Sequence, residues 1–186
     1  ASDGKTKINT VIHDNKKAVI DAVEFLAANG HKRIAYISGP KEDYSSGTLR
    51  LQGFREAVDK LGLEIPESYI TIGDFSYDSG VKAMQRIYEE SMVLPTAVLA
   101  CCDMTAVGAQ ACIAKFGMKV PEDISVMGID DSEVSMYVTP ALSTVRIPYY
   151  DEGKKAAEEL FSLIENQEKT TEKLTYVPHK IIRRFS

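Results

Sequence analysis

The sequence predicts an α/β protein in which a parallel sheet is covered by helices on both faces. Short apolar runs alternate with longer segments whose apolar residues recur at helical spacing. Strands that alternate with helices in this way pair in parallel, and the crossover helices cover both faces of the sheet. The clearest unit predicts a strand at 97–102, a helix at 104–116 and a strand at 124–129. Asp103 stands at the expected N-cap of this helix, and Gly117 follows its end.

The rest of the chain continues the alternation. Further strands are predicted at 8–13, 33–37, 69–75 and 142–147, with a final extended segment at 174–184. Further helices are predicted before Gly30, before Gly62, at 78–90 and at 151–165, because apolar residues repeat there at helical spacing. Residues 41–48 and 166–173 are polar and turn-rich, so we expect a loop over a pocket and a surface turn.

Composition argues against several classes of function. A net charge of −5 over 186 residues is unfavourable for a nucleic-acid-binding module. No apolar run is long enough to cross a membrane, so no membrane partner is expected. Cys101, Cys102 and Cys112 lack metal or redox spacing, which is typical of free thiols in a reducing cytoplasm. The histidines are scattered and no dinucleotide or phosphate-binding motif is present, so we expect neither a metal site nor a cofactor.

Three acidic residues are expected at one edge of the predicted sheet. Asp103 follows one buried strand, and Asp130 and Asp131 follow the next. The carboxyl ends of parallel strands meet at one edge, which is where open α/β sheets bind ligands. A carboxylate pair could perform acid–base chemistry, but capping also explains these positions, and no nucleophile accompanies them. A small α/β enzyme that uses the three aspartates stays open as an alternative.

Seven sequence blocks stand in a recognisable order along the chain. They are GHKRIAYISGP at 30–40, RLQGF at 50–54, GDF at 73–75, PTAV at 95–98, VPEDISVMGIDD at 120–131, PALSTV at 140–145 and RRFS at 183–186. Together they resemble the effector-binding domain of LacI/GalR (lac-repressor-type) transcription regulators, and they cover nearly the whole chain from Val11 onward. Each block alone would be a weak signal, whereas the ordered set is highly specific.

The resemblance implies a parallel-sheet sandwich lobe of the periplasmic-binding-protein-like type I fold. It also implies a regulator that binds a small molecule, a sugar or a related metabolite, in a cleft between two lobes and thereby modulates operator binding. The protein would therefore not be an enzyme. A solute-binding protein that feeds a sugar ABC transporter shares the two-lobed fold and stays open as an alternative.

The resemblance also implies a domain organisation. Family members begin with a helix-turn-helix headpiece and a hinge helix, so we expect this chain to lack both and most of the first lobe. Residues 1–14 would end the first lobe and 15–145 would form the C-terminal lobe. Residues 146–173 would cross over to a helix of the first lobe, and 174–186 would return to the C-terminal lobe. The helix predicted at 151–165 would then expose an apolar face.

Five positions match family residues that bind the effector. Phe75 matches an aromatic that packs on the effector ring, and Arg50 an arginine that reaches hydroxyl or carboxylate groups. Asp130 matches an aspartate that accepts hydrogen bonds from neighbouring hydroxyls, and Tyr149 falls where the third crossover lines the cleft. Cys102 departs from the asparagine of many sugar-binding members. A thiol is a poor hydrogen-bond partner, which argues against a sugar of the usual kind.

The family pattern also predicts partners. LacI/GalR regulators pair through their effector domains, which implies a homodimer interface at Met104, Val107, Ala111 and Met136. The helix predicted at 104–116 is apolar nearly all round, as expected for burial on two sides. Operator DNA would be contacted only through the absent headpiece.

Overall fold

Strands and helices alternate through the computed structural model, which describes residues 8–165 and 173–186. The strands are β1 (Thr10–Ile12), β2 (Ile34–Ser38), β3 (Ile70–Ile72), β4 (Ala97–Ala100), β5 (Ser125–Asp130), β6 (Ser143–Arg146), β7 (Leu174–Tyr176) and β8 (Lys180–Ile182). The α-helices are α1 (Asn15–Ala28), α2 (Arg50–Leu61), α3 (Tyr77–Glu90), α4 (Asp103–Lys115), α5 (Val134–Tyr137) and α6 (Tyr149–Glu165). The predicted α/β class is confirmed. Within the described residues, no helix is both long enough and apolar enough to cross a membrane.

Six strands form one sheet in the order β3-β2-β4-β5-β6-β8. The pairings β2–β3, β2–β4, β4–β5 and β5–β6 are all parallel. Their carboxyl ends therefore lie at one edge. A separate two-stranded sheet joins β1 to β7 in parallel.

The chain divides into two compact units. The first contains the described residues of 1–14 and 147–180, and the second contains 15–146 and 181–186. The second unit holds most of the six-stranded sheet, and the first holds β1, β7 and α6. The lobe boundaries of a longer protein, expected after residues 14, 145 and 173, stay a prediction.

Helices cover both faces of the large sheet in the second unit. All residues of β2 and β4 are buried, as expected for strands covered on both sides. On one face, α3 and α4 approach closely because Gly80 and Gly108 carry no side chain. A Cβ at Gly80 would lie 2.1 Å from the Thr105 carbonyl oxygen, and one at Gly108 would lie 2.1 Å from the Tyr77 oxygen. This close contact fixes the start of α4 relative to α3.

The first unit contrasts with this core. Its helix α6 has no buried residue, and Leu160, Phe161 and Ile164 are all exposed. The strand β7 pairs with β1 from Thr10↔Leu174 to Ile12↔Tyr176. The expected exposed apolar face of α6 is therefore present. The turn expected at 166–173 lies, except for Lys173, outside the described residues.

Four local predictions need correction. The strand predicted at 69–75 is only Ile70–Ile72, because the chain turns at Gly73 and Asp74. The strand predicted at 97–102 ends at Ala100, since both cysteines belong to the turn before α4. Part of the loop predicted at 41–48 is a π-helical turn, Tyr44–Leu49, whose start is capped by a 2.7 Å hydrogen bond from the Ser46 N–H to Asp43 Oδ1. The extended segment predicted at 174–184 is divided into β7 and β8.

Candidate functional site

The carboxyl edge of the six-stranded sheet collects four of the five expected effector residues. Phe75 follows β3, Cys102 follows β4 and Asp130 ends β5, while Arg50 begins α2. All four belong to the second unit. Parallel pairing brings strand ends from distant parts of the chain together, which is why this edge is the usual ligand site of such sheets.

Arg50 is almost fully buried and connects three elements. Its Nε donates to Asn15 Oδ1 at 2.7 Å, and its Nη1 donates to the carbonyl oxygen of Cys101 at 2.5 Å. The guanidinium thus ties the start of α1 and the start of α2 to the end of β4. A guanidinium has five N–H donors. These two bonds use Nε and Nη1, so they leave the two N–H groups on Nη2 unused.

Phe75 adopts a left-handed backbone conformation, with a φ of 69°. Its half-buried ring lies over Gly39, where a Cβ would come within 2.7 Å of two ring carbons. A glycine at position 39 is therefore required for this ring position. A positive φ is uncommon for a bulky residue and costs free energy. The surrounding structure must therefore hold Phe75 in this backbone conformation, which fixes the direction of its side chain.

Cys102 is the N-cap of α4, and its sulfur has several polar neighbours. The Sγ atom lies 3.3 Å from Thr105 Oγ1 and 3.4 Å from the carbonyl oxygen of Phe75. The neighbouring Cys101 thiol is the main reason that the pKa of Cys102 falls to about 7 despite burial, and the Thr105 hydroxyl adds to this effect. Asp130 acts in the opposite direction, because its charge opposes a thiolate.

Asp103 is not the N-cap that the sequence predicts. The helix begins at Asp103 itself and the cap is Cys102, so the carboxylate is free to turn towards β5 and β6. It accepts hydrogen bonds from the Ser132 N–H at 2.7 Å, the Ser132 hydroxyl at 2.9 Å and the Thr144 hydroxyl at 2.5 Å. Burial raises the pKa of Asp103 to about 6 despite these bonds. The residue is fully buried and serves the structure of the edge.

Asp130 and Asp131 both have positive φ, at 121° and 57°. Asp131 Oδ2 accepts from Arg146 Nε at 2.6 Å, and its Oδ1 accepts from Arg184 Nη2 at 2.5 Å. Burial opposes ionisation of Asp131, but the hydrogen bonds from Arg184 and Arg146 outweigh it and lower the pKa. Asp131 is therefore held by two arginines, and Asp130 is the aspartate whose charge acts on Cys102 and Asp103.

These contacts bear on the enzyme alternative. Asp103 and Asp131 are committed to hydrogen bonds and ion pairs within the fold. In the part of the chain that the structure describes, no three histidine, cysteine or acidic side chains lie together as metal ligands. Two of the three aspartates that the enzyme alternative would use are therefore occupied by contacts within the fold.

Tyr149 lies in the first unit, at the start of α6. Its ring is about half exposed and meets the ring of His13 edge to face, with 5.8 Å between the centroids. His13 Nδ1 lies 2.8 Å from Glu152 Oε1, which fixes the imidazole against α6. Tyr149 is thus positioned by its own unit.

The residues expected at a homodimer interface all lie in the second unit. Met104 and Met136 are exposed, and Val107 and Ala111 are half-buried on the outer side of α4. Val107 and Ala111 also line a surface groove with Tyr77 and other residues. The helix is therefore not covered on this side by the residues that the structure describes.

Sequence reasoning missed three residues of this region. Asn15 orients Arg50, Thr105 contacts the Cys102 sulfur, and Tyr36 lies fully buried below them with its ring stacked on Phe54. The sequence does not single out Thr105, because it predicts the cap at Asp103 whereas the structure has it at Cys102. Asn15 contacts Arg50 across 35 positions of sequence, so local sequence rules do not predict this contact.

A family model described as a periplasmic binding protein-like domain matches residues 23–186. The chain belongs to this family. It is similar to the HTH-type transcriptional repressor CytR of Escherichia coli K12, with 39% identity over 150 residues, 81% of this chain and 43% of that protein.

Solved structures show the same relationship. A regulatory protein of the LacI family from Chloroflexus aggregans has a TM-score of 0.91 and 30% identity, covering 100% of this chain and 66% of that one. The transcriptional regulator CelR in complex with cellobiose has a TM-score of 0.88 and 33% identity, covering 97% of this chain and 54% of that one.

These findings confirm the resemblance to LacI/GalR regulators and the periplasmic-binding-protein-like fold. They favour a transcription regulator over a solute-binding protein or an enzyme. The chain spans about half the length of the curated relatives it matches.

Proposed function

We propose that this chain is the effector-sensing domain of a longer LacI/GalR-type transcription regulator. It binds a small molecule, a sugar or a related metabolite, and the bound state modulates binding to an operator. The observation that carries the proposal is the carboxyl edge, where Arg50, Phe75, Cys102 and Asp130 converge in a chain whose relatives are repressors. A relative solved with cellobiose supports a carbohydrate-like ligand.

Each side chain has a distinct task in this proposal. The ring of Phe75 offers a flat apolar face to the C–H side of a ring-shaped ligand. The Nη2 donors of Arg50 and the carboxylate of Asp130 provide a donor and an acceptor for hydroxyl groups. Tyr149 lies in the first unit, and its part in effector binding stays a prediction from the family resemblance. Cys102 takes the place of a better hydrogen-bonding group, so the effector lacks one of the polar contacts usual for a sugar.

A thermal-shift screen of the full-length protein tests the proposal. The panel contains sugars, sugar phosphates, nucleosides and purines, because a ligand that binds only the folded state raises the melting temperature. We expect one class to raise it, and we expect the rise to disappear in Asp130→Asn and to persist in Asp59→Asn, an exposed aspartate on α2. A ligand that stabilises both variants equally would place the binding elsewhere.

We also propose that the regulator is a homodimer through α4 and the segment at 133–138. Exposed Met104 and Met136, with Val107 and Ala111, would form an apolar contact on a two-fold axis. Replacing Met104 and Met136 with lysine should convert dimer to monomer in sedimentation velocity. Met92→Lys is the matched control, because Met92 is fully exposed outside this surface. A dimer that survives the double substitution would contradict the interface.

The remaining assignments follow from the same proposal. The regulator acts in the cytoplasm, where its three thiols stay reduced. It is not an enzyme, and it contacts operator DNA through a headpiece that precedes this chain. The chain alone, with its net charge of −5, should therefore give no mobility shift with promoter DNA at physiological salt. A shift by the chain alone would contradict the assignment.

A further inference from the structure

The turn after β5 holds two consecutive residues in an uncommon backbone conformation. Asp130 has a φ of 121° and Asp131 a φ of 57°. Positive φ costs free energy for a residue with a side chain, so the surrounding structure must hold both residues there. Asp130 is the aspartate expected to bind the effector. Because the two residues are adjacent in the chain, the contacts that fix Asp131 also fix the direction of the Asp130 side chain.

Arg184 makes the more buried of the two ion pairs on Asp131. Its Nη2 donates to Asp131 Oδ1 at 2.5 Å, and its Nη1 donates to the carbonyl oxygen of Leu142 at 2.7 Å. The Arg184 side chain is 14% exposed and that of Asp131 is 7% exposed. A planar guanidinium can serve two acceptors at once in fixed directions. Arg184 therefore ties the Asp131 carboxylate to the residue that precedes β6.

Arg146 makes the other ion pair in a different environment. Its Nε donates to Asp131 Oδ2 at 2.6 Å, but its side chain is 53% exposed. Water and salt compete with an ion pair at an exposed position, so such a pair contributes little. Removal of one partner from a buried pair leaves an uncompensated charge and has a much larger effect. Arg184 is therefore the arginine that holds Asp131 more strongly.

The backbone on either side of the Arg184 guanidinium is itself fixed to the sheet. The N–H of Arg184 donates to Ser143 Oγ at 3.0 Å. The Ser186 hydroxyl accepts from the Ser143 N–H and donates to the carbonyl oxygen of Val126, both at 2.6 Å. Ser186 thus joins β5 to β6 near the starts of the two strands. A shift of Arg184 would disturb these bonds, so its guanidinium is a fixed support for Asp131.

We propose that Arg184 is a positioning residue of the effector site, which acts on Asp130 by holding Asp131. The chain passes from the first unit to the second at residue 181, so Arg184 lies in the short segment that has just returned. Its bond to Asp131 spans 53 positions of sequence. The segment 181–186 therefore completes the turn that presents Asp130. The effect on effector binding rests on the proposed function, whereas the effect on the turn does not.

Hydrogen exchange of the full-length protein tests this role without an effector. The N–H of Asp131 donates to Thr144 Oγ1 at 3.3 Å, and the N–H of Ser132 donates to Asp103 Oδ2 at 2.7 Å. Both amides therefore report on the order of the turn. In Arg184→Gln we expect them to exchange at least tenfold faster, while the amides of β2 exchange as in the unsubstituted protein. Mass spectrometry of peptides that cover residues 128–133 measures the rates.

Arg146→Gln is the matched control, because it removes the exposed arginine from the same carboxylate. It should change the two rates less than threefold. Arg184→Lys should give a rate between those of Arg184→Gln and the unsubstituted protein, since an ammonium keeps the charge but not the two directed bonds. No change in Arg184→Gln, or an equal change in both glutamine variants, would overturn the proposal.

Asp131→Asn tests the same interaction from its other side. It keeps the shape of the side chain and should accelerate the Ser132 amide at least tenfold. Combining it with Arg184→Gln should have little further effect, because both changes break one interaction. Fully additive effects would show that Arg184 acts elsewhere and would overturn the proposal. If Arg184→Gln does not fold, Arg184→Lys and Arg146→Lys are compared instead, and equal rates in these two would overturn it.

A binding measurement separates this role from the proposed function. Cellobiose, glucose 6-phosphate, guanosine and adenine are the probes. A probe that binds the unsubstituted protein should bind Arg184→Gln at least tenfold more weakly and Arg146→Gln within threefold. Faster exchange with unchanged affinity in Arg184→Gln would overturn a positioning role in the effector site. Binding of no probe would count against the proposed function, and the exchange rates alone would then decide whether Arg184 holds the turn.

Discussion

The carboxyl edge of the large sheet has two halves that differ in how their polar groups are satisfied. On the β5–β6 side, Asp103 accepts three hydrogen bonds and Asp131 is paired with two arginines. On the β2–β4 side, the two N–H groups on Arg50 Nη2 are not used by the bonds that Arg50 makes to Asn15 and Cys101. Fully paired buried groups hold a structure in place, whereas unpaired groups mark where a ligand can complete the pairing. We therefore assign support to Asp103 and Asp131 in the first half, and binding to the second half together with Asp130 at the end of β5.

The largest expected effect on stability is at Asp103. Asp103→Ala should lower the free energy of unfolding by about 4 kcal/mol, because three buried or partly buried donors lose a charged acceptor. Urea denaturation measures the change. Asp59→Ala, at an exposed position of α2, should change it by less than about 0.5 kcal/mol. A similar small loss for both would show that the β5–β6 half does not support the edge.

The pH dependence of stability should separate Asp103 from Asp131. Because the pKa of Asp103 is raised to about 6 in the folded state, the fold binds this proton more tightly than the unfolded chain does. Its contribution is fully present below about pH 4 and falls by about 3 kcal/mol as the pH rises through 6. Asp131 acts in reverse, since its lowered pKa adds stability above pH 4 that is lost on acidification.

Denaturation of Asp103→Asn and Asp131→Asn at several pH values checks these directions. Asp103→Asn should remove the decrease between pH 4 and 6, and Asp131→Asn should make the chain less sensitive to acid below pH 4. If Asp103→Asn left the profile unchanged between pH 4 and 6, the environment assigned to Asp103 would be wrong.

The contact between α3 and α4 should matter at an intermediate level. Gly80→Ala places a methyl group against the Thr105 carbonyl oxygen, so we expect a loss of about 2 kcal/mol and a displacement of Thr105 from Cys102. Gly153→Ala is the matched control on α6, where a Cβ meets nothing within 4 Å. It should stabilise by up to about 1 kcal/mol, because alanine is the better helix former. Thermal denaturation of both variants measures the change in stability, which should be negative for Gly80→Ala and positive for Gly153→Ala.

The sequence predicts the fold better than it predicts the site. Local signals predict the alternation of strands and helices. They are the buried apolar runs of β2, β4 and β5 and the glycines that follow α1, α2 and α4. The position of Asp103 is misread because the cap shifts by one residue to Cys102, and because the partners Ser132 and Thr144 lie 29 and 41 positions away. Local rules carry no information about such contacts.

Contacts between residues distant in sequence also determine the candidate site, and local sequence rules do not predict them. The family resemblance predicts that Arg50 and Phe75 bind the effector. The sequence does not reveal that two nitrogens of Arg50 donate hydrogen bonds to Asn15 and to the Cys101 carbonyl oxygen. Neither does it reveal that both cysteine sulfurs lie on one side of the backbone, since that depends on where β4 ends. The strand β4 ends two residues earlier than predicted, and this position of the strand end determines where the two cysteine side chains lie.

The binding half of the edge is tested most directly by one calorimetric titration. The effector class found by thermal shift is titrated into the full-length protein, into Phe75→Leu and into Phe185→Leu, whose ring is exposed outside the edge. Loss of the flat ring at position 75 should weaken binding at least tenfold, or about 1.4 kcal/mol, while Phe185→Leu should bind like the unsubstituted protein. Equal affinity for Phe75→Leu and the unsubstituted protein would contradict the assignment of binding to this half of the edge.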